Sequence, residues 1–316
     1  IEVDPLAAQV TDIVKAKARL MKIDETGNVQ SDFSWSSSVK NVYFHGQAIT
    51  IDDDGNVITL GEINVPNSPT RSFVAAHDPA TLNIIWSQFY GYVNRDFINS
   101  KSIHFTTTQK IIWASSVLDD QSSVKRAYLS VPFVSPNSTF ENSGLFGQND
   151  ELYYSAADIQ PSGTGFGIIG TFSNIQSQNQ NIYFVRTDPS GNVMPDSQKF
   201  FDGVLSADNT VLTSPGESES QDTGNAIIAT TDGGYLLAGS MESTTKRGNG
   251  GKDIFLIRLD PFGNMLWNKI IGGSGDEIPS TVRLTNDGGF LICGSSVIGG
   301  LSSVFLIKTD KNGETK

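Results

Sequence analysis

The sequence predicts an all-β fold, a β-propeller of four-stranded antiparallel blades. Three observations lead there. Short apolar runs alternate with polar residues along the whole chain, as half-buried strands require. A unit of about 55 residues recurs, which is the mark of a repeat architecture. Asp-Gly pairs sit between neighbouring apolar runs, where a tight hairpin needs residues tolerant of positive backbone angles.

The first half of the unit is clearest at residues 228–239 and 282–294, where Thr231-Asp232-Gly233-Gly234 and Asn286-Asp287-Gly288-Gly289 join two apolar runs. An earlier copy spans residues 49–61 with Asp54-Gly55 at its turn, and worn copies lie at 102–115 and 155–170. These are strands A and B. The second half, strands C and D, reads Phe255-Leu256-Ile257-Arg258-Leu259-Asp260-Pro261-Phe262-Gly263-Asn264, with relatives at 20–29, 73–86, 183–193 and 305–313. The turn residues Asp24, Asp78, Asp188, Asp260 and Asp310 mark these copies, and a degenerate one lies at 127–133.

A four-stranded meander cannot bury both faces alone, so it must stack on a neighbour. Radial stacking is the propeller solution, and β-solenoid coils are shorter than this period. Second halves outnumber first halves by one, which predicts six blades with residues 1–38 as a short or irregular first blade. Five blades, closed by the N-terminal strands, is the alternative. The expected organisation is one domain over residues 1–316, with repeats starting near 46, 101, 153, 224 and 280.

Composition narrows the class. Hydrophobic residues make up 38% of the chain, Gly occurs 31 times, and the formal net charge is -12. Such charge repels nucleic acid and anionic membranes. No apolar run has the length of a membrane helix, so no transmembrane segment is expected. The sole cysteine, Cys293, lies in an apolar run and reads as a small buried hydrophobe. The chain starts at Ile1 without Met, and a signal peptide or lipid anchor upstream of Ile1 is an expectation.

The runs Thr231-Asp232-Gly233-Gly234-Tyr235-Leu236-Leu237-Ala238-Gly239 and Gly272-Gly273-Ser274-Gly275-Asp276-Glu277, with residues 253–263, resemble the propeller repeats of secreted proteins and surface lipoproteins of Bacteroidetes. The resemblance implies an extracytoplasmic address, in the periplasm, at the cell surface or secreted, and no shared activity. Residues 76–86, ending in Trp86, are similar to the tryptophan-docking motif of quinoprotein-like propellers, with Leu82 where that motif has Gly. That likeness implies blade packing by Trp86 and Trp267; no cofactor-binding set accompanies it, and no cofactor is expected.

Candidate chemistry is sparse. Asp52-Asp53-Asp54-Gly55-Asn56 offers carboxylates to a hard cation but occupies a hairpin position. His45, His77 and His104 fall in different units without metal-ligand spacing, so no metal is expected. No Gly-x-Ser-x-Gly elbow occurs. The long connectors are B-to-C (241–253, 62–71) and D-to-A (202–224, 91–101), and long loops on a rigid scaffold carry binding. They predict a binding face bearing Arg95, Asp96, Glu217, Asp222, Lys246, Arg247, Asp276 and Glu277.

Repeats without a catalytic motif point to a non-catalytic scaffold that binds an envelope protein or glycan. The competing reading is a carbohydrate-active hydrolase or lyase working through carboxylates or a His and Tyr pair at the central opening.

Overall fold

The computed structural model describes residues 18–35, 42–91, 95–105, 111–119, 125–130, 143–146, 152–163, 165–174, 179–202, 221–242 and 248–315. Among these residues every regular element is a strand. The fold is all-β, of the β-propeller type with four-stranded antiparallel blades. Contacts divide the chain into two compact units, Ile1–Lys125 with Leu129–Ser143, and Arg126–Tyr128 with Gly144–Lys316.

In the first unit β1 (Ala18–Ile23) and β2 (Val29–Trp35) form a two-stranded sheet. A four-stranded meander follows, made of β3 (Tyr43–Ile51), β4 (Val57–Asn64), β5 (Arg71–His77) and β6 (Ile84–Tyr90). Then β7 (Arg95–Phe105) and β8 (Ile111–Asp119) begin a four-stranded sheet that continues through β9 (Lys125–Ser130) and β10 (Ser143–Phe146). The second unit holds the meander β11 (Leu152–Ser162), β12 (Gly165–Asn174), β13 (Gln180–Thr187) and β14 (Lys199–Phe201). Next come β15 (Thr223–Ala229), β16 (Tyr235–Glu242), β17 (Lys252–Leu259) and β18 (Met265–Ile271). A three-stranded sheet of β19 (Asp276–Leu284), β20 (Phe290–Ile298) and β21 (Leu301–Thr309) completes it.

Within each unit the sheets stack face to face. Ile58, Leu60, Val74 and Ala76 of one blade bury themselves against Ile103, Ile111 and Trp113 of the next. In the second unit Ile182, Phe184 and Phe201 meet Ile227, Leu237 and Phe255, while Leu236, Ile254 and Leu256 meet Val282, Phe290 and Ile292. The first strands of successive blades touch, β3 with β7, β11 with β15 and β15 with β19. This is the packing of radially arranged blades, each sheet lying against the next.

The turns explain why the meanders form. Gly55, Gly233 and Gly288 have φ of 84, 84 and 77°, which a side chain would oppose. In the C-to-D turns one carboxylate oxygen collects two backbone N–H groups. Asp188 Oδ1 accepts from Ser190 and Asn192 at 2.8 and 2.9 Å, and Asp260 Oδ1 from Phe262 and Asn264, both at 2.8 Å. Asp52 uses the same bonding toward Asp54 and Asn56, so the acidic triplet is a hairpin.

Two further regularities appear. Each first strand carries a bulge: the pairing register shifts between Gly46 and Ala48, Ala156 and Asp158, Gly224 and Ala226, and Pro279 and Thr281. Second-strand glycines also face aromatic residues of the third strand. A Cβ on Gly61, Gly170 or Gly294 would overlap the ring of Phe73, Tyr183 or Phe305 or stand against it. Leu82 has φ 60°, a left-handed angle that favours glycine. Leu82 is nonetheless buried, against Phe73, Trp35 and Leu20.

Candidate functional site

In the second unit the connectors between strands fold onto each other. Gly251 N–H donates to the Gly275 carbonyl at 3.0 Å, and Lys252 N–H to Asp276 Oδ1 at 2.8 Å. This joins the segment between β16 and β17 to the one between β18 and β19. Asn249 N–H donates to Asp253 Oδ2 at 2.8 Å, and its side-chain amide reaches the Gly272 carbonyl at 3.3 Å. Glu277 accepts from Gly273 N–H at 2.8 Å and from the Ser296 hydroxyl at 3.0 Å.

Gly272 is wedged between two of these carboxylates: a Cβ there would overlap Asp253 Oδ1 and stand 2.8 Å from Glu277 Oε2. Asp253 and Glu277 are buried, so both acids lock the connector. Asp222 is likewise buried and accepts the Glu242 N–H at 3.1 Å. Of the residues expected on the binding face, Asp222, Asp276 and Glu277 therefore lie at strand starts with their carboxylates bonded to backbone amides. Arg95 and Asp96 fall in β7, with side chains outside the description, and Glu217, Lys246 and Arg247 lie outside the described residues. Asp253 was missed, because nothing local in the sequence distinguishes a buried clamp from a solvated loop acid.

The first unit contains a different kind of carboxyl. Glu62 follows Gly61 on β4 and lies directly across from His45 on β3. The equivalent positions after the second-strand glycines hold hydroxyl residues, Thr171, Ser240 and Ser295. Ser115, after Ala114 on β8, continues that series. Glu62 is half-buried and accepts the N–H of Ser100, on β7. Desolvation raises its carboxyl above the ordinary 4.5, partly opposed by the Ser100 hydrogen bonds and by the nearby His45 and Lys101 charges. Behind it, Ser100 Oγ is 2.7 Å from Ser72 Oγ and accepts the Ser115 hydroxyl at 2.9 Å, all three buried. The departure from the hydroxyl series was visible in the sequence as Gly61-Glu62 against Gly170-Thr171, Gly239-Ser240 and Gly294-Ser295.

β7 itself departs from its sister strands. Its register with β8 shifts twice, between Ile98 and Lys101 and between Lys101 and Ile103. The three histidines stay apart in role: His77 is buried, with Nε2 3.1 Å from Thr59 Oγ1 and Nδ1 2.9 Å from the Leu82 carbonyl. Burial lowers its pKa below 6.5, and its neutral ring packs against Phe33 and Trp35. Among the described residues no cluster of three metal-ligating side chains forms, and no helix is long and apolar enough to cross a membrane.

No protein-family model and no curated protein matches the sequence. Solved structures do. A protein of unknown function from Dyadobacter fermentans aligns at 10% identity over 85% of this chain and 76% of that one, with a TM-score of 0.50. An endo-arabinase from Bacteroides thetaiotaomicron aligns at 13% identity over 85% of this chain and 95% of that one, at a TM-score of 0.49. An exo-beta-1,3-galactanase from Phanerochaete chrysosporium aligns at 12% identity over 96% of this chain, at a TM-score of 0.46; the chain spans 66% of that enzyme's length. The expectation of a non-catalytic scaffold is overturned here, because similar structures of stated activity are carbohydrate-active enzymes.

Proposed function

We propose that the protein is a carbohydrate-active hydrolase in which Glu62 delivers the proton to the leaving oxygen of a glycosidic bond. The observation that carries this reading is the placement of Glu62. It is the one acid in a register position otherwise held by Ser or Thr, beside a first strand with two register shifts, with its carboxyl pushed toward the protonated form by burial. A general acid has to hold its proton near the working pH, and desolvation of a carboxyl is how that is arranged. His45 and Lys101 flank it and supply donors toward hydroxyl-rich substrates.

The substrate class is a neutral polysaccharide or oligosaccharide, which the net charge of -12 does not repel. An address outside the cytoplasm belongs to the same reading, since polymeric glycans are met there, and the likeness to secreted and lipoprotein repeats of Bacteroidetes agrees with it. We assign both units to one repeat domain, as each is built from the same meander. Asp222, Asp276 and Glu277 then shape the connectors.

The test is a reducing-end assay on arabinan, β-1,3-galactan and mannan, with the parent and Glu62→Gln. Hydrolysis by the parent and a loss of at least about 100-fold in the variant is the expected result. No product on any glycan, or an unimpaired Glu62→Gln enzyme with a parental circular dichroism spectrum, overturns the reading.

A further inference from the structure

β7 carries a second feature that the glycosidase reading leaves unused. Ser102 sits between the paired residues Lys101 and Ile103, at the second register shift, with φ 50°. For a residue with a Cβ that backbone conformation is strained. The first strands β3, β11, β15 and β19 shift register once and contain no such non-glycine residue among those described. The contortion has a consequence for chemistry. It sets the Ser102 hydroxyl 3.2 Å from Nε2 of His104. Both side chains are half-buried, while Ile103 between them anchors the strand in the core. Strained backbone and bulges of this kind concentrate where a side chain must be aimed.

We propose that Ser102 and His104 form a nucleophile and base pair that hydrolyses small carboxylic esters. With the imidazole proton on Nδ1, Nε2 accepts the Ser102 hydroxyl, which is the arrangement that activates a serine. The hydroxyl oxygen attacks the ester carbonyl carbon as its proton passes to Nε2. The carbon–alkoxide bond breaks, the alcohol leaves with that proton, and the acyl group stays on Ser102. Water then attacks the acyl carbon and gives a proton to Nε2. The carboxylic acid departs as Ser102 recovers its hydrogen. Ester and water are consumed; acid and alcohol are formed.

The experiment uses p-nitrophenyl acetate as substrate and a fluorophosphonate as covalent probe on the intact protein, with the adduct located by mass spectrometry. The expected result is p-nitrophenolate release, one adduct on Ser102, and loss of both by at least about 100-fold in Ser102→Ala and His104→Gln. Ser102→Gly is the control for folding, because glycine accepts φ 50° without strain. It is expected to melt at or above the parent temperature yet to stay unlabelled. An adduct elsewhere, no adduct, or labelling undiminished in His104→Gln overturns the pair. Neither probe contains a glycosidic bond, so this outcome is independent of the role assigned to Glu62.

Discussion

Leu82 sets two terms against each other, and their sizes decide the outcome. Its φ of 60° disfavours any side chain by about 1–2 kcal/mol, so glycine is the natural occupant of the backbone. Its side chain, however, is 2% exposed and packs with Phe73, Trp35, Ala75 and Leu20. Removing a buried leucine side chain costs about 2–5 kcal/mol. Packing exceeds strain, so Leu82→Gly is expected to destabilise even though it relieves the backbone. Leu82→Ala loses nearly the same packing and keeps the strain. The two variants should therefore rank opposite to ordinary propensity, with Gly more stable than Ala by about 1 kcal/mol and both below the parent. Urea denaturation followed by tryptophan fluorescence reads this directly, since Trp35 lies in the same cluster. An alanine variant as stable as the glycine variant, or a glycine variant as stable as the parent, would refute the reasoning.

Other outcomes follow from the same geometry. Asp232→Ala strips the Arg258 guanidinium, 8% exposed, of its carboxylate; because Asp232 is itself 59% exposed, the loss is nearer about 1 kcal/mol than that of a buried pair, measurable as a lower urea midpoint. The Thr230 hydroxyl and Arg258 hold the Asp232 carboxyl at about 2, below its usual 3.8, so its contribution is present above pH 3.8 and disappears as pH falls toward 2. His77 acts in the same direction at higher pH: burial keeps it neutral in the folded protein, the unfolded chain takes up a proton below pH 6.5, and stability therefore declines on acidification through that value. A His77→Gln midpoint that still follows the parent between about pH 5 and pH 7 would rule this out. Gly61→Ala drives a methyl into the Phe73 ring and the His45 carbonyl and should cost about 1–3 kcal/mol or more; Gly55→Ala meets nothing and pays only for its φ of 84°, so its melting temperature should fall less.

The blade was legible because its determinants are local. A turn such as Asp260-Pro261-Phe262-Gly263-Asn264 writes its own hydrogen bonds, one carboxylate oxygen receiving two amides a few residues away. The near-continuous apolar runs in Tyr235–Glu242 and Lys252–Leu259 similarly mark central strands buried on both faces. The clamp at Gly272 was not legible, since Asp253 and Glu277 are brought together only by two connectors meeting. Glu277 and Asp222, expected on a binding face, are buried, because an acid at a strand start can satisfy backbone amides that the sheet leaves unpaired.

Repetition makes departures from the pattern informative. Every blade must bury the same faces, so a position that carries Ser or Thr in its sisters can accept Glu62 only at the cost of desolvating a carboxyl. A strand that could pair smoothly likewise gains nothing in stability from a second register shift and a serine at φ 50°. Both departures meet on one strand, where Ser100 N–H holds Glu62 and, two residues later, Ser102 meets His104. Folding alone calls for neither. The chemistry proposed at β7 accounts for both, and it predicts that replacing residues 100–104 with the smoother pattern of a sister strand raises the melting temperature while removing the proposed activities.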